Sequence, residues 1–216
     1  MHILFQGDSI TDVDRMRPNM NKTELGMGYP HLVKGAMNSR FPLKHTFVNR
    51  GISGNRIVDL YARIKADTIN LAPEFMSILI GVNDVWHEIN YQNGVDAEKF
   101  EKIYLMYVEE IKAALPNIKL MIMEPFVLPG SNTTGELEDG TDKYTLFRAE
   151  TEKRAAAARR VAEKIGAYFL PLQDMFDEAC KEAPADYWLW DGVHPSEAGH
   201  QRIAERWMKA FDGITK

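Results

Sequence analysis

A chain of 216 residues, 45% hydrophobic and 26% charged, can bury a substantial core without staples, so one domain over residues 1–216 is expected. A net charge of −5 offers no basic footprint for nucleic acid or an anionic membrane, and a single cysteine, Cys180, excludes an internal disulfide and argues against a cysteine-based zinc site. No run reaches the ~18 apolar residues of a membrane span, and the first strand starts too early to leave room for a leader, so a cytoplasmic location is expected.

Short apolar runs alternate with longer amphipathic segments. Ile3–Gln6 is the first strand candidate, and it stops abruptly at Gly7-Asp8-Ser9-Ile10-Thr11-Asp12, which places a serine on the outgoing turn. A helix follows from Tyr29 to Phe41 with Leu32, Val33, Ala36 and Met37 on one face, then a strand at Thr46–Asn49. Ile57, Leu60, Tyr61 and Ile64 recur at helical spacing. Phe75–Ile80 is apolar almost throughout, as befits a parallel strand covered on both faces. A longer helix carries Phe100, Ile103, Tyr104, Tyr107, Val108 and Ile111, and Lys119–Met123 is the fourth strand.

Pro129–Asp142 has the Gly-Ser-Asn-Thr-Thr-Gly composition of a loop and is the least ordered stretch expected. Its acidic residues Glu136, Glu138 and Asp139 lack the ordered ligand spacing of a calcium site and read as solvated. A helix over Leu146–Ile165, a strand at Tyr168–Leu170 and a last helix opened by Pro195-Ser196-Glu197 complete the pattern. Cys180 reads as a helical packing residue, and Met76, Met106, Met121 and Met123 as core filler. Strand–helix alternation of this kind gives a parallel sheet with helices on both faces.

Four motifs carry chemistry. Ser9 follows strand one at the carboxyl edge, where open α/β sheets bind ligands. A serine hydroxyl needs a base, and His194 offers one, three residues after Asp191, whose carboxylate can hold the Nδ1 proton. Gly54 and Asn83 follow strands two and three. A glycine brings its backbone N–H close to a substrate, and an asparagine supplies a neutral amide donor, so both suit a developing oxyanion. Taken singly, each motif also fits a helix cap or a turn. Trp86, Trp188 and Trp190 fit either sugar stacking or packing of the site loops, and Arg56 fits either a substrate contact or the exposed face of its helix.

Gly7-Asp8-Ser9, Gly54, Gly81-Val82-Asn83-Asp84 and Asp191-Gly192-Val193-His194-Pro195 together resemble, in order, the four blocks of the SGNH (GDSL-type) hydrolase superfamily. The resemblance spans essentially the whole chain. It implies a flavodoxin-like three-layer α/β/α sandwich on a five-stranded parallel sheet, catalysis by Ser9, Asp191 and His194, and an oxyanion hole of Ser9, Gly54 and Asn83. No metal or cofactor is called for. Asn49–Asn55, Gly81–Trp86 and Trp190–Pro195 are similar to intracellular bacterial acetylxylan esterases of that superfamily, which implies a small acetylated sugar as substrate. Asp8, Arg56, Trp86 and Trp190 are the substrate-binding candidates, and homo-oligomerisation is left open. A thioesterase or lysophospholipase of the same superfamily would need a long apolar acyl channel. A non-catalytic carbohydrate-binding protein on this fold is the reading from another class.

Overall fold

A computed structural model describes residues 1–16 and 24–215. Strand β1 (His2–Gly7) is followed by α1 (Ser9–Asp12), α2 (Tyr29–Arg40), β2 (Thr46–Asn49), α3 (Ile57–Ala62) and α4 (Ile64–Asp67). Next come β3 (Phe75–Leu79), α5 (Val82–Tyr91), α6 (Ala97–Ala114), β4 (Lys119–Met123) and α7 (Lys143–Ile165). The chain closes with β5 (Tyr168–Leu170), α8 (Gln173–Ala179), α9 (Ala185–Trp188) and α10 (Glu197–Thr215). All strand pairs are parallel, in the order β2-β1-β3-β4-β5. The chain therefore leaves β1 toward one edge and returns to the other side of it at β3. That reversal opens a crevice at the carboxyl ends of β1 and β3, the place where such sheets accept ligands.

The two-residue period of the strands divides the core. Ile3, Phe5, Phe75, Met121 and Met123 face one layer with α2 and α10, while Leu4, Met76, Ile78, Leu120 and Ile122 face the other with α3 and α6. Each of the expected strands lies where the apolar runs placed it, with ends shifted by at most a residue. Helix α7 starts three residues earlier than its apolar pattern, because the Asp142 carboxylate accepts the N–H of Thr145 and caps it. Helix α5 is unexpected, because its first turn carries the polar Asn83 and Asp84 of the Gly81–Asp84 motif. One methionine differs from expectation: Met106 is 51% exposed, on the outer side of α6, whereas Met76, Met121 and Met123 are sealed.

The first layer centres on an aromatic group. Trp207 stacks on Phe211 with centroids 5.0 Å apart, and it meets Phe5 at 5.4 Å and Phe75 at 5.5 Å. Its Nε1–H is buried and has no acceptor among the described residues. Trp207→Ala should lower unfolding free energy by about 3–5 kcal/mol in a urea titration. Trp207→Phe should cost less than half as much, because it keeps ring contacts and removes an unpaired buried donor. Equal losses in the two variants would contradict this packing.

Candidate active site

The site grows from the end of β1. Asp8 caps α1 with its Oδ1 on the N–H of Ile10 at 3.0 Å, and its backbone oxygen accepts the N–H of Asp12 at 2.8 Å. One tight helical turn results, and Ser9 is its first residue, half-buried at the crevice. The Ser9 Oγ lies 2.9 Å from Nε2 of His194, across 185 residues of sequence. On the other side of the ring, Nδ1 of His194 lies 2.7 Å from Oδ2 of Asp191.

Asp191 is fully buried and accepts four hydrogen bonds. Oδ1 takes the backbone N–H of Val193 at 2.9 Å and of His194 at 2.7 Å, which folds the Asp-to-His segment into a tight turn. Oδ2 takes the His194 ring and the side-chain amide of Asn132 at 2.8 Å. Burial alone would raise the Asp191 pKa, but these donors outweigh it and pull the value down to about 2. The carboxylate is thus ionised and can only accept, so the proton of the pair sits on Nδ1 and Nε2 is left to accept from Ser9. Burial pulls the His194 pKa down, yet the bond and charge of Asp191 push it above its ordinary value.

Asn132 was missed from sequence, and the loop that carries it is not loosely held. Leu128 N–H donates to the Gly192 oxygen at 2.9 Å and Asn132 N–H to the Asp191 oxygen at 3.0 Å. Gly130 runs so close that a Cβ there would stand 2.2 Å from the Gly192 nitrogen. The segment expected to be least ordered is the clamp on Asp191. Its Gly-Ser-Asn-Thr composition signals a turn equally well whether the turn is free or packed.

The loop after β2 reaches the same crevice. Gly54 adopts φ +80°, a backbone that side chains rarely take, and a Cβ there would meet no atom within 4 Å, so conformation rather than crowding requires glycine. Next to it, the Asn55 carbonyl accepts Nδ2 of Asn83 at 3.2 Å. That bond fixes the amide plane of Asn83, which sits on the first turn of α5, and leaves its second N–H available. Ser53 N–H donates to Oδ2 of Asp12 at 3.0 Å, tying the loop to α1. Ser9, Gly54 and Asn83 are therefore carried by segments bonded to one another.

Two of the expected substrate contacts take other work. Asp8 is completely buried, with Oδ1 on the Ile10 N–H and Oδ2 without a hydrogen-bond partner among the described residues, so it is a helix cap rather than a substrate contact. Arg56 spends Nε and Nη2 on Asp59 at 3.0 and 3.2 Å and Nη1 on the Asn93 oxygen at 2.6 Å, which fastens the head of α3. The tryptophans divide. Trp188 is buried with Nε1–H on the Ala179 oxygen. Trp86 is half-buried, wedged between Phe147 at 6.1 Å and the His194 ring at 5.9 Å. Trp190 is 59% exposed and lies nearly parallel to the His194 ring, 5.5 Å away at 19°. It lines a cleft of about 340 Å³ together with Ser9, Asp12, Ser53, His194 and His200.

Beneath the site, Asp84 is buried and takes the Ile57 N–H on both oxygens, at 3.1 and 3.3 Å. Burial pushes its pKa up to about 8, against that hydrogen bond and the charge of Arg154, while burial likewise takes Asp8 to about 7. Both values lie above those of an unfolded chain, so the folded state holds protons that the unfolded state releases, and stability falls as pH rises through these pKa values. Asp84→Asn keeps an acceptor for Ile57 and removes that ionisation. The wild-type Tm should fall between about pH 4 and about pH 8, and the variant should fall less; parallel curves would contradict the assignment.

A hydroxyl on an imidazole whose far nitrogen is held by a buried carboxylate can pass its proton as its oxygen attacks a carbonyl. Proteins similar to this chain are acylhydrolases and esterases. Residues 5–202 match the GDSL-like lipase/acylhydrolase family. The chain is 33% identical to an acetylxylan esterase of Geobacillus stearothermophilus, with 96% of this chain and 92% of that protein aligned. The crystal structure of Axe2, an acetylxylan esterase from the same organism, superposes with a TM-score of 0.81 at 32% identity, over 96% of this chain and 92% of that one. A protein of Parabacteroides merdae classed as a GDSL-like lipase superposes at 0.86 with 36% identity, over 97% of this chain and 94% of that one. The chain belongs to the GDSL-like lipase/acylhydrolase family and is a carboxylic ester hydrolase.

Proposed function

We propose that this hydrolase removes acetyl groups from short xylose-based oligosaccharides through Ser9, His194 and Asp191. The observation that carries the mechanism is the unbroken hydrogen-bond chain from Ser9 Oγ through the His194 ring to Asp191. Ser9 attacks the acetyl carbonyl while Nε2 of His194 takes its proton. The Ser9 and Gly54 N–H groups and the amide of Asn83 receive the oxyanion. His194 then returns the proton to the departing sugar oxygen, leaving an acetyl-serine. Water then attacks that ester while the same nitrogen takes its proton, the bond to Ser9 Oγ breaks as His194 returns the proton to Oγ, and acetate leaves. Asp191 stays ionised throughout and stabilises each imidazolium.

Support for a sugar rather than a long acyl chain comes from the cleft and from the relatives. Its walls carry Asp12, Ser53 and His200 beside one flat aromatic face, Trp190. Polar groups beside an aromatic plane suit a pyranose better than a lipid tail. The aligned Geobacillus stearothermophilus protein is an acetylxylan esterase.

A serine-directed phosphonate should label Ser9 and abolish activity, and Ser9→Ala should be inactive yet folded. Label on another residue, or an active Ser9→Ala, would overturn the mechanism. Across p-nitrophenyl esters of rising chain length, acetate should be the best substrate, with acetylated xylobiose turned over as well. A preference for long chains would favour a thioesterase or lysophospholipase. Asn83→Ala should lower kcat by about 10² to 10³ with little change in KM, since its donor matters most once charge has developed. A raised KM with kcat intact would make Asn83 a ground-state contact instead.

A further inference from the structure

His200 lies near the start of α10 and is only 5% exposed. Its Nδ1 accepts the backbone N–H of Tyr29 at 3.2 Å, satisfying a donor at the head of α2. Cε1 faces Gly28, where a Cβ would stand 2.9 Å away. A ring nitrogen that accepts carries no proton, so the proton resides on Nε2. Nε2 has no hydrogen-bond partner among the described residues and is not one of the buried unpaired atoms, so it keeps contact with the cleft that His200 lines beside Ser9, Ser53 and Trp190. Burial, with the neighbouring His194, takes the His200 pKa down to about 4, so the ring is neutral wherever His194 can act as a base. Its acceptor nitrogen is already used, which leaves it one fixed N–H and no capacity for proton transfer.

A ring N–H at the wall of an open cleft is held by water until a ligand oxygen takes that water's place. We propose that His200 donates Nε2–H to a hydroxyl oxygen of the sugar that carries the acetyl group, and so contributes to the preference for acetylated sugars over simple acetate esters. The inference rests on the sugar-esterase reading above. It makes His200 a substrate-binding residue on the leaving-group side of the site, apart from the proton chemistry of His194.

Two isosteric replacements separate the two edges of the ring. Asparagine places an amide oxygen where Nδ1 stands and nothing at Nε2, whereas glutamine reaches the Nε2 position with an N–H and gives up the Nδ1 acceptor. Measured as kcat/KM, His200→Asn should lose about five- to tenfold more on acetylated xylobiose than on p-nitrophenyl acetate, mainly through KM, a loss sized to one hydrogen bond. His200→Gln should retain the sugar preference while its Tm falls, because Tyr29 N–H loses its partner. An unchanged ratio of the two substrates in His200→Asn, with wild-type turnover of the sugar intact, overturns this inference alone and leaves His200 as a cap on α2. Wild-type cleavage of p-nitrophenyl acetate with none of acetylated xylobiose overturns the sugar reading and this inference with it.

Discussion

The site depends on a buried negative charge. Asp191 is sealed from solvent, and an ionised carboxylate there would be untenable without donors. Four are supplied: two backbone groups of its own turn, one ring nitrogen and one amide from a loop some sixty residues earlier. Removing solvent makes each of those bonds stronger and more directional. The charge thereby sets the tautomer of His194, and the tautomer determines which nitrogen faces Ser9. The turn around Gly192, the close approach of Gly130 and the burial of Thr133 serve to keep that carboxylate dry and aimed.

The fold supplies the convergence. Because β1 and β3 are neighbours whose outgoing connections run to opposite sides, Ser9 and Asn83 leave the sheet side by side. The β2 loop then crosses above α1, held by Ser53 on Asp12 and by Asn55 on Asn83. Two buried carboxyls, Asp8 and Asp84, brace the bases of α1 and α3 from below. Burial raises the pKa of each, in contrast to Asp191, which lies within reach of the same site. Donors account for much of the difference: Asp191 takes four close hydrogen bonds, whereas among the described residues Ile10 is the close donor to Asp8 and Ile57 the close donor to Asp84. Environment gives similar side chains opposite protonation behaviour.

The strands, the long helices and the four motifs were legible because each rests on a short-range pattern: apolar runs of strand length, three-and-four spacing, and turn residues after strands. What escaped rests on tertiary contact. Asn132 resembles any loop asparagine until Asp191 is placed beside it. Trp188 and Trp190 are two residues apart, yet one is buried and the other lies open, a difference set by the turn between α9 and Pro195. Arg56 carries no mark that Asp59, one turn along, will hold it. His200 sits at helical spacing among apolar residues and passes for part of an amphipathic face. Helix α5 escaped because its polar first turn, with Asn83 and Asp84, reads as a motif rather than as an element.

Titration of the His194 ring by NMR is the most direct examination of how Asp191 governs the site. The ring should titrate above the ordinary histidine value in the wild-type protein, and its midpoint should fall in Asp191→Asn, where the charge is gone. A midpoint at the ordinary value in both proteins would mean that the buried carboxylate does not control the imidazole, and would contradict the account.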